Sequence, residues 1–552
     1  MLQDHDRSQH SRLSRRMLLK GSLAAGALFG LYGVAGCAPA PAQPASQPSA
    51  PAGTPAPTLA AMPTATPAAT PTSQAASSSV TTLRTAHGLS YQGRESLDPH
   101  ARSSFRAVND YIYDRLTRYA TNGMDQELAL GWEPNKTATE WVFTLRKDVK
   151  FHDGTPFTAR DVIYSYQRIG DPKLRSSLAL YTGVIDLAAM TAIDDYTVRF
   201  PLKRPHADFP FVAPPAVPII AKDSGESVVK TGNGTGSFKL KTFAPEGKTV
   251  LVANDAYWGE KAKLAEIELV PIPDGNARAN ALLAGQVDFI DQISRSQAAL
   301  VERNSNYVYQ VVTGPLSFSY FLVMRPDAPP FNDVRVRKAM KLVVDRALML
   351  QTTVQGDGII GNDTLIYPGN PVALKEAQPF DIKQAKALLA EAGYANGLDV
   401  TLTTNSGIDI FSSIAVTYKE MAAAAGINVT IKPQPGDSYY NEIAKAPFFI
   451  DFSASPSAPV TFDMSYRPGG PFNDSQWDNK EVVGLLDKAF AELDDAKRAD
   501  IYRDLQRLIK NEGCDIVLFF AGIGRAFQKS VKGLDPNHPI PDWKRVFIDR
   551  KG

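Results

Sequence analysis

Two mixed α/β lobes with a cleft between them are predicted from three observations. The first half is rich in short alternating segments: Trp141, Phe143 and Leu145 are set between Val142, Thr144 and Arg146, the period of a half-buried strand. The second half carries a strand–helix–strand pattern, with residues 398–403 and 427–431 flanking a helix through Ile414, Tyr418 and Met421. A right-handed crossover places those two strands parallel in one sheet. Finally, 552 residues at 44% apolar composition are enough for more than one core.

Composition excludes several classes. Lys and Arg number 59 against 58 Asp and Glu, so the net charge of +1 gives no pull towards nucleic acid. Cys37 and Cys514 are too few for a disulfide framework, and Cys514, opening the run CDIVLFF, reads as a small buried hydrophobe. The seven histidines are dispersed, and the chain lacks a zinc helix motif, a nucleophile elbow and a catalytic Cys/His pairing. No catalysis, metal or cofactor is therefore expected.

Residues 1–37 read as an export leader. SRRMLLK, with Arg15 and Arg16, is similar to the twin-arginine pattern, with Leu18 where Phe is usual. The apolar run 21–36 is short for a membrane span. It ends in Val34-Ala35-Gly36-Cys37, which resembles a lipobox whose cysteine is lipidated and becomes the new N-terminus; an uncleaved membrane anchor is the alternative. Two acyl chains on Cys37 suffice for stable anchoring. Residues 38–79 collapse to Pro, Ala, Thr, Ser and Gln, too poor in apolar surface to offset ordering entropy, and read as an extended spacer.

The folded part starts near residue 80. The strand VTTLRTAHG leads into a loop with Leu97-Asp98-Pro99 and then a helix through Val108, Ile112 and Leu116. In 141–169, a strand is followed by a second one at Val149 and Phe151, and Asp153-Gly154 supplies a turn. Thr158 and Asp161 then start a capped helix with Val162, Ile163, Tyr166 and Ile169 on one face. His152 beside Asp153 suggests a metal or acid/base pair, but neighbouring strand residues point to opposite faces, so a structural turn is expected. TGNGTGSFKL (231–240) lacks the Lys-Ser/Thr of a phosphate loop and reads as a close backbone approach leading into a strand.

A boundary is placed at Gly314-Pro315, giving a first lobe at 80–313 and a second at 314–520. In the second, Asn332 or Asp333 caps a helix running through Ala347, and Asp381 caps one ending at Gly393. Further helices pass through Leu486 to Leu493 and Ile501 to Leu508, followed by the strand IVLFF.

Residues 141–169 together with GTGSF and Asn254, Tyr257, Trp258 and Gly259 closely resemble the family 5 extracellular solute-binding proteins, the peptide- and nickel-type receptors of ABC importers. That resemblance implies the bilobal type II periplasmic-binding-protein-like fold, its two mixed α/β lobes joined by a hinge and residues 521–552 returning to the first lobe. It places the loop with Ser90, Tyr91 and Arg94 at a ligand cleft. It also implies an aspartate gripping a peptide's amino group, although the Trp-Asp pattern of peptide-binding members is missing here. Asp463 is the nearest candidate, with Arg467 for a carboxylate and Tyr439, Tyr440 and Trp477 as pocket walls. The expected function is a monomeric, lipid-anchored receptor on the outer face of the cytoplasmic membrane. It takes a di- or oligopeptide to an ABC permease; the alternatives are another solute (a sugar oligomer, opine-like compound or metal chelate) and, remotely, a surface hydrolase.

Overall fold

The computed structural model describes residues 81–88, 93–120, 123–314, 316–454, 457–538 and 540–549. The expectations for Arg15, Arg16, Cys37, the spacer, Ser90 and Tyr91 lie outside the described residues.

Two large sheets organise the chain. In the first, the order is Tyr307–Val312, Ile523–Gln528, Phe289–Ile290, Thr82–His87, Glu266–Pro271, Thr249–Ala253, Phe238–Thr242. The central strand Thr82–His87 runs parallel to both of its neighbours. In the second, the order is Gly358–Ile360, Asp515–Ala521, Phe318–Met324, Phe448–Ala454, Leu398–Asn405, Ile427–Gln434. The chain passes from first sheet to second between Val312 and Phe318 and returns at Gly522, so two crossings join two α/β lobes. The strand containing IVLFF stays in the second sheet; the crossing follows it.

The strand–helix–strand unit of the second lobe pairs in parallel over its full length, from Leu398 against Ile427 to Asn405 against Gln434. Leu398, Val400 and Leu402 face the core while Asp399 and Thr401 face water, and this period of two sets the register. The helix Asp409–Ala423 covers the core face with Phe411, Ile414, Ala415, Tyr418 and Ala422. Helices differ from expectation in where they stop: the first ends at Ile112, with Leu116 outside it. The run from Val334 stops at Leu342, because Asp345 accepts hydrogen bonds from Ala347 and Leu348 N and starts a new helix, Arg346–Val354. A shared apolar period concealed that second cap.

Inserted in the first lobe is a four-stranded antiparallel sheet, ordered Ala129–Pro134, Glu140–Leu145, Thr197–Pro201, Thr191–Asp194. Val149 and Phe151 are buried in its core but form no second strand; Glu140–Leu145 pairs instead with the more distant 129–134 and 197–201 segments. The Asp153 carboxylate accepts from Thr155 N at 2.9 Å and Thr155 Oγ1 at 2.7 Å, closing a turn in which Gly154 takes φ +91°. Helix Ala159–Ile169 opens with Asp161 accepting from Thr158 N at 2.7 Å and buries Val162, Ser165, Tyr166 and Ile169. The glycines of 231–240 serve close packing: a Cβ on Gly234 would sit 2.1 Å from Ile112 O, and one on Gly236 2.3 Å from Tyr111 O. His152 ties into the same approach through Gly236 O at 3.0 Å.

Candidate functional site

A cavity of about 450 Å³ opens in the first lobe beside the first crossing, where Leu316 contributes to its wall. Its sides come from the loop after the first strand (Pro99, Ala101, Arg102), the helix Arg106–Ile112 and the chain following it, residues 177–181 and 215–218, and the C-terminal segment between Gly533 and Arg545. Segments more than 400 residues apart in sequence therefore meet at one surface.

Burial and hydrogen bonding hold each wall in place. Arg168 grips Asp98 with two bonds of 2.9 and 2.6 Å and also reaches His100 Nδ1 at 3.1 Å. Because a guanidinium only donates, Nδ1 accepts, and the ring proton sits on Nε2, which donates to Pro218 O at 2.8 Å. Burial pushes this imidazole down to about 4, so it stays neutral. The Leu97-Asp98-Pro99 loop is thereby pinned to the 215–218 wall. On the far side, buried Arg525 donates to Asp535 O at 2.6 Å and His538 O at 3.2 Å, while its Nη2 reaches Gln310 Oε1 at 2.8 Å. Burial lowers this guanidinium to about 10. Tyr111 OH donates to Pro541 O at 3.1 Å, tying the helix wall to the same C-terminal segment.

The lining is charged and balanced. Arg102, Arg106, Arg115, Arg118, Lys544 and Arg545 face Asp110, Asp114, Asp125, Glu127, Asp535 and Asp542, with Tyr111, Tyr119, Tyr181 and Leu178 supplying apolar surface. Arg115 meets Asp110 at 2.6 Å, and its backbone N donates to Glu127 Oε2 at 2.8 Å. Burial alone would raise the Asp110 carboxyl, but Arg106 and Arg115 outweigh it and hold the group below its usual range. Glu127 goes the other way: burial first, then the neighbouring Asp114, pushes it up to about 7 against the pull of Arg118 and Arg115. Asp114 is spoken for, accepting from Trp258 Nε1 at 2.9 Å and Thr235 Oγ1 at 3.0 Å. Much of this charge is paired within the wall, Asp110 with Arg106 and Arg115 and Asp542 with Arg118, Lys544 and Arg545; a small solute carrying both signs of charge fits such a surface by exchanging partners with these pairs.

Among the described residues, none of those singled out from sequence lines this cavity. Tyr439 is fully buried in the second-lobe core, its hydroxyl bonded to Ile450 O; Trp477 is buried in the same core, and Tyr440 packs against it. Asp463 lines no part of the cavity. Its Oδ2 accepts from Arg204 at 2.5 Å and its Oδ1 from Arg467 at 2.7 Å, so both oxygens are engaged by side chains of the protein itself. Arg467 reaches on to Asp487 at 2.8 Å. Arg94 is exposed and outside the lining. The lining residues that sequence reasoning missed carried one local signal: Asp110, Asp114, Arg115 and Arg118 cluster at a helix end beside Tyr111. Nothing local announced the 533–545 wall. Among the described residues, no group of three or more His, Cys, Asp or Glu is arranged to hold a metal ion, and no helix is long and apolar enough to cross a membrane.

Comparison with known proteins gives a consistent result. The model of the bacterial extracellular solute-binding proteins, family 5 Middle, matches residues 124–472. The periplasmic oligopeptide-binding protein OppA of Escherichia coli (strain K12) is 26% identical over 495 residues, covering 81% of this chain and 89% of OppA. Among solved structures, the periplasmic binding protein DppA from Helicobacter pylori, in complex with the peptide STSA, superposes with TM-score 0.67 at 23% identity, covering 85% of this chain and 98% of DppA. NikZ from Campylobacter jejuni, in complex with Ni(L-His), superposes with TM-score 0.69 at 20% identity, covering 84% and 99%.

Proposed function

Because the chain belongs to the bacterial extracellular solute-binding proteins of family 5, we propose that it captures a short peptide and delivers it to the permease of an ABC importer. The carrying observation is the cavity beside the first crossing, with its balanced acidic and basic lining. A peptide with free termini bears one charge of each sign, and a space of about 450 Å³ falls within the range of small-molecule sites. Two chain crossings between the lobes make a hinge, so closure traps the solute without any bond being made or broken. Oligopeptide- and peptide-binding relatives support the peptide reading. The SRRMLLK leader and the lipobox-like sequence at Cys37 support export and lipid anchoring to the outer face of the cytoplasmic membrane.

The test is a thermal-shift screen of the protein against di- to pentapeptides, oligosaccharides and a nickel–histidine chelate. At one hundred times its dissociation constant a ligand stabilises by about 2.7 kcal/mol, and peptides are expected to give that shift. A shift with the sugars or the chelate and none with any peptide assigns the receptor to that other solute.

A further inference from the structure

Besides the two crossings, a third junction connects the lobes, and it is built around the residues first expected to grip a ligand. The segment 204–212 follows the strand Thr197–Pro201 of the inserted sheet and lies against three second-lobe elements. Arg204 bonds Asp463 at 2.5 Å, and Asp463 in turn holds Arg467. Asp208 accepts from Arg498 Nε at 2.9 Å and from Tyr502 OH at 2.6 Å, and both partners lie on the helix Asp495–Glu512. Ala207 N donates to Phe490 O at 2.8 Å, and Ser457 Oγ donates to Phe211 O at 3.1 Å. The His206 ring stacks on Phe490 with centroids 4.1 Å apart and planes 19° apart. Arg204 and Arg467 also lie over the Phe490 ring, at 5.3 and 5.7 Å.

We propose that this junction is a clasp holding the lobes together without solute, with Arg204, Asp208 and Asp463 as positioning residues for capture. The inference rests on the receptor reading, which requires the lobes to move. The chemistry of the seam favours a contact that can part. Its apolar share is small, namely Val212, Val460 and Met464 with Leu180, Tyr181 and Phe472 packed alongside. Beyond these and the buried stack of His206 on Phe490, the contacts are charge pairs and hydrogen bonds, of which Arg204–Asp463 is open enough for water to replace it when the lobes separate. A wholly apolar seam would expose its surface on every opening and resist it. Asp463 is therefore assigned to holding Arg204 across the seam. Burial alone would raise its carboxyl, but Arg204 and Arg467 keep it below the usual range and hence ionised.

The experiment measures a distance across the seam by double electron–electron resonance, in buffer with no solute added. Spin labels go on Ile193→Cys in the inserted sheet and Val416→Cys in the second lobe, sites 58% and 50% exposed. Cys37 is replaced by serine, and Cys514 is buried and left in place. The parent should show one narrow distance distribution. Arg204→Ala combined with Asp208→Ala should broaden it towards longer distances, Asp463→Ala should add nothing once Arg204 is gone, and Arg204→Lys should keep the narrow form. Arg204 is one-third exposed, so Arg204→Met alone serves if the double variant does not fold. An unchanged distribution in Arg204→Met and in the double variant, wherever folded, overturns the clasp. Because no solute is present, failure of the peptide screen and failure of the clasp are read separately.

Discussion

Asp363→Asn tests how far the second lobe depends on one buried ion pair. Arg346 Nη2 donates to Asp363 Oδ1 at 2.6 Å, with side chains 3% and 0% exposed. The same oxygen accepts from Val517 N at 2.9 Å, so the pair ties the 361–366 segment to the neighbour of the sheet's central strand. Asp363 sits at φ +63°, a conformation asparagine tolerates, so the change removes charge without adding backbone strain. Arg346 keeps the carbonyls of Val517, Lys341 and Val344 but loses its counter-charge. Removing one partner of a buried pair costs about 3–5 kcal/mol, and the remaining carbonyl bonds set the expectation at about 3. For a lobe of this size that is a fall in Tm of roughly 6–12 °C, read by calorimetry. Arg346→Met with Asp363→Asn should cost clearly less than the two single changes added together, since no charge is then stranded. A single-variant loss below about 1 kcal/mol, or strict additivity, would show that the carbonyls alone satisfy Arg346.

Two further expectations concern the fold. Gly236→Ala puts a Cβ 2.3 Å from the backbone oxygen of Tyr111, which has no flexible end to move aside. A loss of about 1–3 kcal/mol is expected in urea unfolding, and a neutral result would mean that the glycine-rich approach is not close-packed. The second concerns Asp451, Asp474 and Asp515, which lie within electrostatic reach of one another in the second lobe. Burial first and mutual repulsion next raise Asp451 to about 7 and Asp474 well above its usual range; for Asp515, raised to about 6, burial is the cause. A carboxyl raised in the folded state holds protons that the unfolded chain has released, so its contribution to stability is lost as pH rises through the folded value. Buried histidines act in the opposite sense below about pH 6.5, as with His100 at about 4 and His206 at about 3, so the whole-protein profile mixes both. The stability of Asp451→Asn relative to the parent isolates the carboxyl. It should rise between pH 5 and 7 by up to about 1.4 kcal/mol per unit, and a flat difference would place Asp451 in contact with water.

The elements read best from sequence were those whose burial alternates at a fixed period. Leu398, Val400 and Leu402 marked a strand, and Asp381 marked a helix start that the structure places on Gln384 N. Periodicity reports burial without naming what does the burying. Tyr439 and Trp477 show the apolar and aromatic character of both pocket walls and cores, and packing put them in the core. Val149 and Phe151 alternate like a strand, yet their burial comes from a turn folded onto the inserted sheet. For charged residues, local sequence cannot reveal whether a counter-charge waits across a seam, and Arg204 lies 259 positions from Asp463.

Sequence by itself determined the family and the α/β lobes, together with the structural character of the His152–Asp153 turn. The lobes and the turn follow from local rules (side-chain period, caps, and glycines where no Cβ fits), and the family from the resemblance carried by 141–169 and Asn254 to Gly259. Tertiary structure alone decided where the cavity lies and what Asp463 touches. The cavity needs the loop at Pro99 and the segment at 533–545 on one surface, an adjacency created only when Ile523–Gln528 returns to the first sheet. Charge pairing has a reach of a few ångströms in space and none along the chain, so the partner of a carboxylate is settled only once distant segments have folded together.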